Sequence, residues 1–74
     1  MIKIKTQRIR AGLTQAELAS LMGVSRTTVT LVETGKQRPS PGFRKKAHKA
    51  LTSIFPNLSF DDIFEPGGED FVRN

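Results

Sequence analysis

The sequence predicts an all-α protein of five short helices. Apolar residues recur at steps of three and four, glycine and proline separate the apolar segments, and no pair of segments has the pattern of a β-hairpin. Seventy-four residues suffice for one domain, and the lack of cysteine excludes disulfides and a thiolate metal site. We therefore expect a helical domain over residues 1–64 and an acidic, flexible tail over residues 65–74.

The first two helices are delimited by a glycine and a capping motif. The first is expected over residues 2–11, and Gly12 ends it. Its apolar members are Ile4 and Ile9. Thr14 followed three residues later by Glu17 forms a capping box, so the second helix begins at Gln15. Three apolar residues at helical spacing form its inner face: Leu18, Ala19 and Met22.

The third helix follows a tight turn. Gly23 supplies the left-handed backbone that such a turn needs, and Ser25 is a suitable N-cap for a helix from Arg26 to Thr34. The apolar residues that point to one side of it are Val29 and Val32. The segment over residues 13–35 therefore has the form of a helix-turn-helix, in which a compact helix pair can place side chains in a DNA major groove.

The last two helices are separated from this pair by a basic, proline-containing loop over residues 36–42. The fourth helix begins near Pro41 or Gly42, and Pro56 breaks it. Its apolar residues recur at helical spacing: Phe43, Ala47, Ala50, Leu51 and Ile54. Ser59 is expected to cap the fifth helix. That helix is expected to insert three apolar residues: Phe60, Ile63 and Phe64.

The charge of the chain is uneven along its length. Twelve lysines and arginines against seven acidic residues give a formal net charge of +5. Eleven of the twelve basic residues precede position 50, whereas the segment from residue 61 onward holds five acids and one arginine. A strongly basic body predicts a polyanionic partner. The alternative is that the positive charge only keeps the protein soluble.

Catalysis and cofactor binding are not expected. The chain has one histidine, no cysteine, no glycine-rich phosphate loop and no convincing catalytic pair of acids. His48 lies among lysines and is expected to be solvated, while Asp61 and Asp62 are better explained as acids of a first helical turn than as metal ligands. We therefore expect a protein that is not an enzyme and binds no cofactor, metal or small molecule. No membrane span or signal peptide is evident, so we expect a cytoplasmic location.

The order of these residues resembles the phage repressor and Cro class of helix-turn-helix proteins, also called the xenobiotic-response-element family. The resemblance covers residues 4–64. Among the segments that match are Gly12-Leu13-Thr14-Gln15, the helix pair, Glu33-Thr34-Gly35-Lys36 and Arg38-Pro39-Ser40-Pro41. It implies a five-helix, lambda-repressor-like fold whose third helix lies in the major groove. The implied function is sequence-specific binding of double-stranded DNA by a Cro- or CI-like transcriptional repressor of bacterial or phage origin, acting at the nucleoid as a homodimer on an inverted repeat.

The resemblance also implies two sets of DNA contacts. The residues expected to read bases are Arg26, Thr27, Thr30 and Leu31. The residues expected to bind phosphates are Gln15, Ser25, Thr28, Lys36, Gln37, Arg38 and Ser40. Gln15 has a simpler alternative as a polar residue that starts a helix, and Leu31 as an isolated apolar residue on an exposed surface.

Two further features of the family have counterparts here. Arg8 and Glu33 match a salt bridge that ties the first helix to the end of the third. The residues that can form a dimer interface, or equally fill the core, are Phe55, Leu58, Phe60 and Phe64. The same phenylalanine-rich end leaves a second function open, namely a protein-interaction adaptor of the antitoxin or immunity type.

Overall fold

A computed structural model describes residues 3–64 of the chain, and in that range all regular structure is helical. The elements are α1 (Ile4–Arg10), α2 (Gln15–Met22), α3 (Arg26–Glu33), α4 (Pro41–Thr52) and a 3₁₀ turn (Phe60–Asp62). The predicted all-α class is confirmed. The expected fifth helix is this single 3₁₀ turn, so four α-helices are present in the described part. The expected tail over residues 65–74 lies outside it.

Helix α1 buries only one of its two apolar members. Ile4 is fully buried, whereas Ile9 is 58% exposed. Five residues at 3.6 per turn place Ile9 about 140° around the helix from Ile4. Gln7 and Arg8, three and four residues after Ile4, share its side and are buried with it.

Helices α2 and α3 form the predicted pair. The Thr14 hydroxyl accepts from the backbone N–H of Glu17 at 3.0 Å, and the Glu17 carboxylate accepts from the N–H of Thr14 at 2.8 Å, which completes the capping box. Gly23 has φ of 74°, as the turn requires. Ser25 caps α3 through the N–H of Thr28. The side chains buried between the helices are Leu18, Ala19, Met22, Val29 and Val32.

Helix α4 completes the core and is shorter than its apolar pattern suggested. It ends at Thr52, and Ile54, expected on its inner face, is 38% exposed in the turn that follows. Pro56 lacks the N–H that would donate to the carbonyl of Thr52 in a longer helix, and its ring would clash with that carbonyl. The Thr52 hydroxyl also bonds to the His48 carbonyl at 2.7 Å, within the last turn of the helix.

The two residues that follow the 3₁₀ turn close the core, and they are two of the three apolar residues expected there. Ile63 and Phe64 are buried, and the Phe64 ring meets the Phe43 ring edge-on at 6.4 Å. Phe60 is 43% exposed, so its expected insertion into the core is wrong. Its ring stacks on His48 at a centroid distance of 4.4 Å, outside the core. His48 is accordingly half-buried by this ring rather than solvated.

Polar contacts join the 3₁₀ turn to the start of the described chain. The backbone N–H of Lys3 donates to the Ile63 carbonyl at 2.9 Å, and the Gln7 amide donates to the Asp62 carbonyl at 3.1 Å. Asp62 acts as the expected first-turn acid, because its carboxylate accepts from the backbone N–H of Ser59 at 2.9 Å. That hydrogen bond lowers the pKa of Asp62 below its ordinary value of 3.8.

Candidate nucleic-acid interface

A group of neighbouring side chains lies on the outer face of α3, the side that faces away from the core. Because Val29 and Val32 are fully buried, the residues between and before them face away from the core. The residues expected to read bases all line one shallow depression of about 260 Å³: Arg26, Thr27, Thr30 and Leu31. Leu31 is half-buried rather than exposed. The sequence therefore selected four positions that the fold does bring together.

A second depression, of about 560 Å³, adjoins the first at the start of α2. It is lined by Arg8, Thr14, Gln15, Ala16 and Arg26. Arg26 lines both depressions, so they form one continuous surface. Backbone N–H groups of the first turn of α2 and the guanidinium of Arg26 give this region positive potential, while Glu33 balances the charge of Arg8. An anion beside Arg26 would thus lie next to the outer face of α3.

A hydrogen-bonded network connects α1, α2 and α3 behind this surface. The Arg8 Nε donates to Glu33 Oε2 at 2.7 Å, and Arg8 Nη2 donates to Glu33 Oε1 at 3.1 Å. Gln15 Nε2 donates to the same Glu33 Oε1 at 3.0 Å, and Thr30 Oγ1 donates to Gln15 Oε1 at 2.8 Å. The Arg8–Glu33 ion pair implied by the family resemblance is therefore present, and it extends through two further side chains.

The position of Gln15 in this network was missed from the sequence. Its amide oxygen and one amide hydrogen are engaged within the protein, whereas the sequence had suggested only a phosphate contact or a plain helix start. The three-residue spacing of Thr30 and Glu33 indicates that they share one side of α3. Their contact with Gln15 depends on how α2 and α3 pack against each other, which helical spacing alone does not predict.

The other expected phosphate contacts lie at the ends of helices and in the loop after α3. Ser25 and Thr28 join their hydroxyls at 2.8 Å next to the start of α3. Ser40 accepts from the N–H of Phe43 at 3.1 Å, so it also caps α4. The loop residues Lys36, Gln37 and Arg38 are exposed.

That loop is held against α3 by its backbone. The N–H groups of Lys36 and Gln37 both donate to the carbonyl of Leu31, at 2.9 and 3.1 Å. Leu31 therefore contributes its side chain to the depression on α3 and its carbonyl to the base of the loop. The basic loop consequently has a fixed attachment beside the outer face of α3.

The four apolar residues expected at a dimer interface differ in their environments. Phe64 belongs to the core, which is the second of the two roles left open for it by the sequence. Leu58 is half-buried and packs against the core, and the Arg10 guanidinium covers the ring of Phe55 at 4.7 Å. Phe60 alone of the four is more than one-third exposed. This end of the molecule therefore offers less apolar surface than the sequence suggested.

Two features are absent from the described part of the chain. Across residues 3–64, no three histidine, aspartate or glutamate side chains are grouped so as to hold a metal ion. None of the helices in the same range combines the length and the apolar composition that crossing a bilayer requires.

Comparison with known proteins agrees with this geometry. Residues 4–51 match the helix-turn-helix family. One relative, an uncharacterized HTH-type transcriptional regulator of Archaeoglobus fulgidus, is 40% identical over 62 residues, which cover 84% of this chain and 80% of the relative. An uncharacterized HTH-type transcriptional regulator of Methanocaldococcus jannaschii is 39% identical over 84% of this chain and 86% of its own length. The chain belongs to the helix-turn-helix family of the xenobiotic-response-element type, which confirms the resemblance recognised in its sequence.

Proposed function

We propose that this protein is a transcriptional regulator that binds double-stranded DNA in a sequence-specific manner, with α3 in the major groove. The observation that supports this function best is the continuous surface formed by the outer face of α3 and the start of α2, with Arg26 common to both. A major groove about 12 Å wide admits one α-helix, and an exposed helix face beside an anion-binding helix start fits a groove bordered by phosphates.

The proposed base contacts follow from the chemistry of the four side chains on α3. Arg26 can donate two hydrogen bonds to O6 and N7 of guanine, and Leu31 can pack against a thymine methyl group. Thr27 and Thr30 line the same depression, and a threonine hydroxyl is a suitable polar partner for a base edge. These residues would determine which sequence is preferred.

The proposed phosphate contacts flank this face and set the position of the protein on DNA. They comprise Gln15, Ser25, Thr28, Lys36, Gln37, Arg38 and Ser40. The Gln15 amide has a second N–H beyond the one given to Glu33, and it stands beside the backbone N–H groups that begin α2. Contacts of this kind add affinity for any sequence.

We further propose that the protein acts as a Cro-like repressor, binding an inverted repeat as a homodimer. Half-sites would then lie about 34 Å apart, one turn of the double helix. The exposed part of Phe60, and a groove lined in part by Ile54, Phe55 and Leu58, are available for contact between two copies. A location in the cytoplasm, with DNA, accords with this function.

The decisive experiment selects duplexes bound by the full chain from a random pool, and then compares two variants. Arg26→Ala should weaken binding to the selected site by about 1–3 kcal/mol more than binding to random DNA, because the base contacts of Arg26 are lost only at the selected site. Lys36→Ala should weaken both to a similar degree, and affinity should fall steeply as salt rises. Lys5→Ala, an equal charge change at an exposed position of α1, serves as the matched control.

The same measurements can contradict the assignment. Equal losses on selected and random DNA for Arg26→Ala would remove the base-reading role of α3. If the protein does not bind DNA, or if its affinity for DNA does not change with salt, the second function is favoured, namely an adaptor that binds another protein. Exposed Phe60 is the observation behind that alternative, and Phe60→Ala should then abolish binding to the partner protein.

A further inference from the structure

The hydroxyl of Thr30 stands at the end of a series of hydrogen bonds whose direction is fixed at the other end. Arg8 has only donors and keeps its charge in proteins, and two of its N–H groups point at Glu33. Both oxygens of the Glu33 carboxylate therefore accept. The side chain of Glu33 is only 1% exposed, so water cannot readily replace these partners.

The direction passes from Glu33 to the Gln15 amide. Glu33 Oε1 accepts, so the Gln15 atom 3.0 Å from it must be the nitrogen, since an amide oxygen there would place two acceptors in contact. The amide oxygen of Gln15 is then turned toward Thr30, 2.8 Å from its Oγ1. An amide oxygen only accepts, so the Thr30 hydroxyl must donate.

A threonine hydroxyl has a single hydrogen. In Thr30 that hydrogen is used inside the protein, and Oγ1 retains only its lone pairs for an outside partner. Thr30 lines the depression on the outer face of α3, where an outside partner would lie. A serine or threonine ordinarily contacts any base edge because its hydroxyl can either donate or accept. Gln15 removes half of that freedom.

We propose that Thr30 acts as a one-way hydrogen-bond acceptor that selects a base with an exocyclic amino group, adenine or cytosine, at its contact position in the major groove. This inference rests on the proposed function, because it requires α3 in that groove. Adenine N6 and cytosine N4 donate there, whereas guanine O6, guanine N7 and thymine O4 accept and would face the lone pairs of Thr30. Gln15 is thus a positioning residue for specificity as well as a neighbour of phosphate.

The test uses the full chain and the duplexes it enriches from a random pool. Each adenine and cytosine of the best duplex is replaced in turn by the analogue that lacks the amino group, and affinities are measured for the natural protein and for Thr30→Val. At one position the loss should be about three- to tenfold larger for the natural protein than for Thr30→Val, as expected for one hydrogen bond. Because both proteins meet the same weakened base pair, the difference isolates the contact with Thr30.

A second variant tests the role of Gln15. Gln15→Met frees the hydrogen of Thr30, so the preference for adenine or cytosine at that position should fall to about equal binding of all four bases. Thr6→Val makes the Thr30→Val change at an exposed position of α1 and should alter no base preference. Circular dichroism of each variant checks that the fold is retained.

The outcomes separate the inference from the proposed function. A pool without enriched sequences contradicts the proposed function and the inference with it. An enriched sequence in which no adenine or cytosine is coupled to Thr30 overturns the inference alone. Retention of the base preference in Gln15→Met shows that Gln15 does not set the direction of the bond.

Discussion

Glu33 is the side chain on which most of the polar contacts behind the interface converge. It accepts two hydrogen bonds from Arg8 and one from Gln15, and it is 1% exposed. Glu33→Ala leaves a nearly buried guanidinium without its counter-ion, so we expect a loss of about 3 kcal/mol in the free energy of unfolding. Denaturant unfolding of the variant measures it.

The matched control removes both charges of this pair. Arg8→Met combined with Glu33→Leu leaves no buried charge unpaired, so the double variant should be more stable than Glu33→Ala alone. If the double variant is as unstable as Glu33→Ala, the loss comes from altered packing and not from the uncompensated arginine.

Among single residues, the sequence predicted the positions of side chains best where they depend on the spacing along one helix. Arg26, Thr27 and Thr30 were assigned to one face of α3 from spacing and family resemblance, and they share a depression. Gln15 and Phe60 show the limit. Gln15 forms hydrogen bonds with Thr30 and Glu33, which follow it by 15 and 18 positions in the sequence. The ring of Phe60 stacks on a histidine of another helix. The spacing of residues along one helix does not predict contacts between residues of different elements.

At the scale of elements, two glycines with different backbone conformations should respond in opposite ways to alanine. Gly23 has φ of 74°, and a Cβ there would meet no atom within 4 Å, so Gly23→Ala is disfavoured by conformation alone, by about 1–2 kcal/mol. Gly42 lies inside α4, and its Cβ would come no closer than 3.9 Å to Ser40. Gly42→Ala should stabilise by up to about 1 kcal/mol.

Thermal unfolding of the two variants under one set of conditions measures both effects. Each variant is the other's control, since the chemical change is the same and neither site is crowded. A stabilised Gly23→Ala would show that the turn between α2 and α3 does not depend on the left-handed conformation.

Element boundaries were predicted well where a cap marks them and poorly elsewhere. Thr14, Ser25 and Gly23 fixed the start of α2, the start of α3 and the turn between them. Helix α1 has seven residues, so its two turns gave too few apolar positions to identify the buried side. The end of α4 was placed too late because Ile54 continues the spacing beyond the point where Pro56 stops the helix.

For the whole molecule, the residues that directly follow the 3₁₀ turn, Ile63 and Phe64, are part of the core. Ile63 is fully buried and Phe60 is 43% exposed, only three residues away. Ile63→Ala should therefore cost about 2–5 kcal/mol in the free energy of unfolding, through lost burial and the cavity left behind. Phe60→Ala, on the outside of the same turn, should cost clearly less. Equal losses would mean that the ring of Phe60 on His48 holds the turn as strongly as the core does.

The fold class followed from the sequence because a small helical domain has few ways to bury its apolar stripes. Glycine stops, caps and steps of three and four determined which segments are helical. The expectation of a fifth α-helix failed because the segment near Ser59 is short, and its carbonyls are used by distant residues. Lys3 and Gln7 bond to carbonyls of this turn, and no local pattern predicts those contacts.

The bonds between Lys3 and the 3₁₀ turn have a consequence for the order of folding. Lys3 and Asp61 are joined across 58 positions of sequence, whereas α2 and α3 are joined across one short turn. Closing a longer loop costs more chain entropy, so the helix pair can assemble early and the two ends of the described chain meet late. Contacts that form last are the first to open, and the amide hydrogen of Lys3 should exchange with solvent well before those buried between α2 and α3.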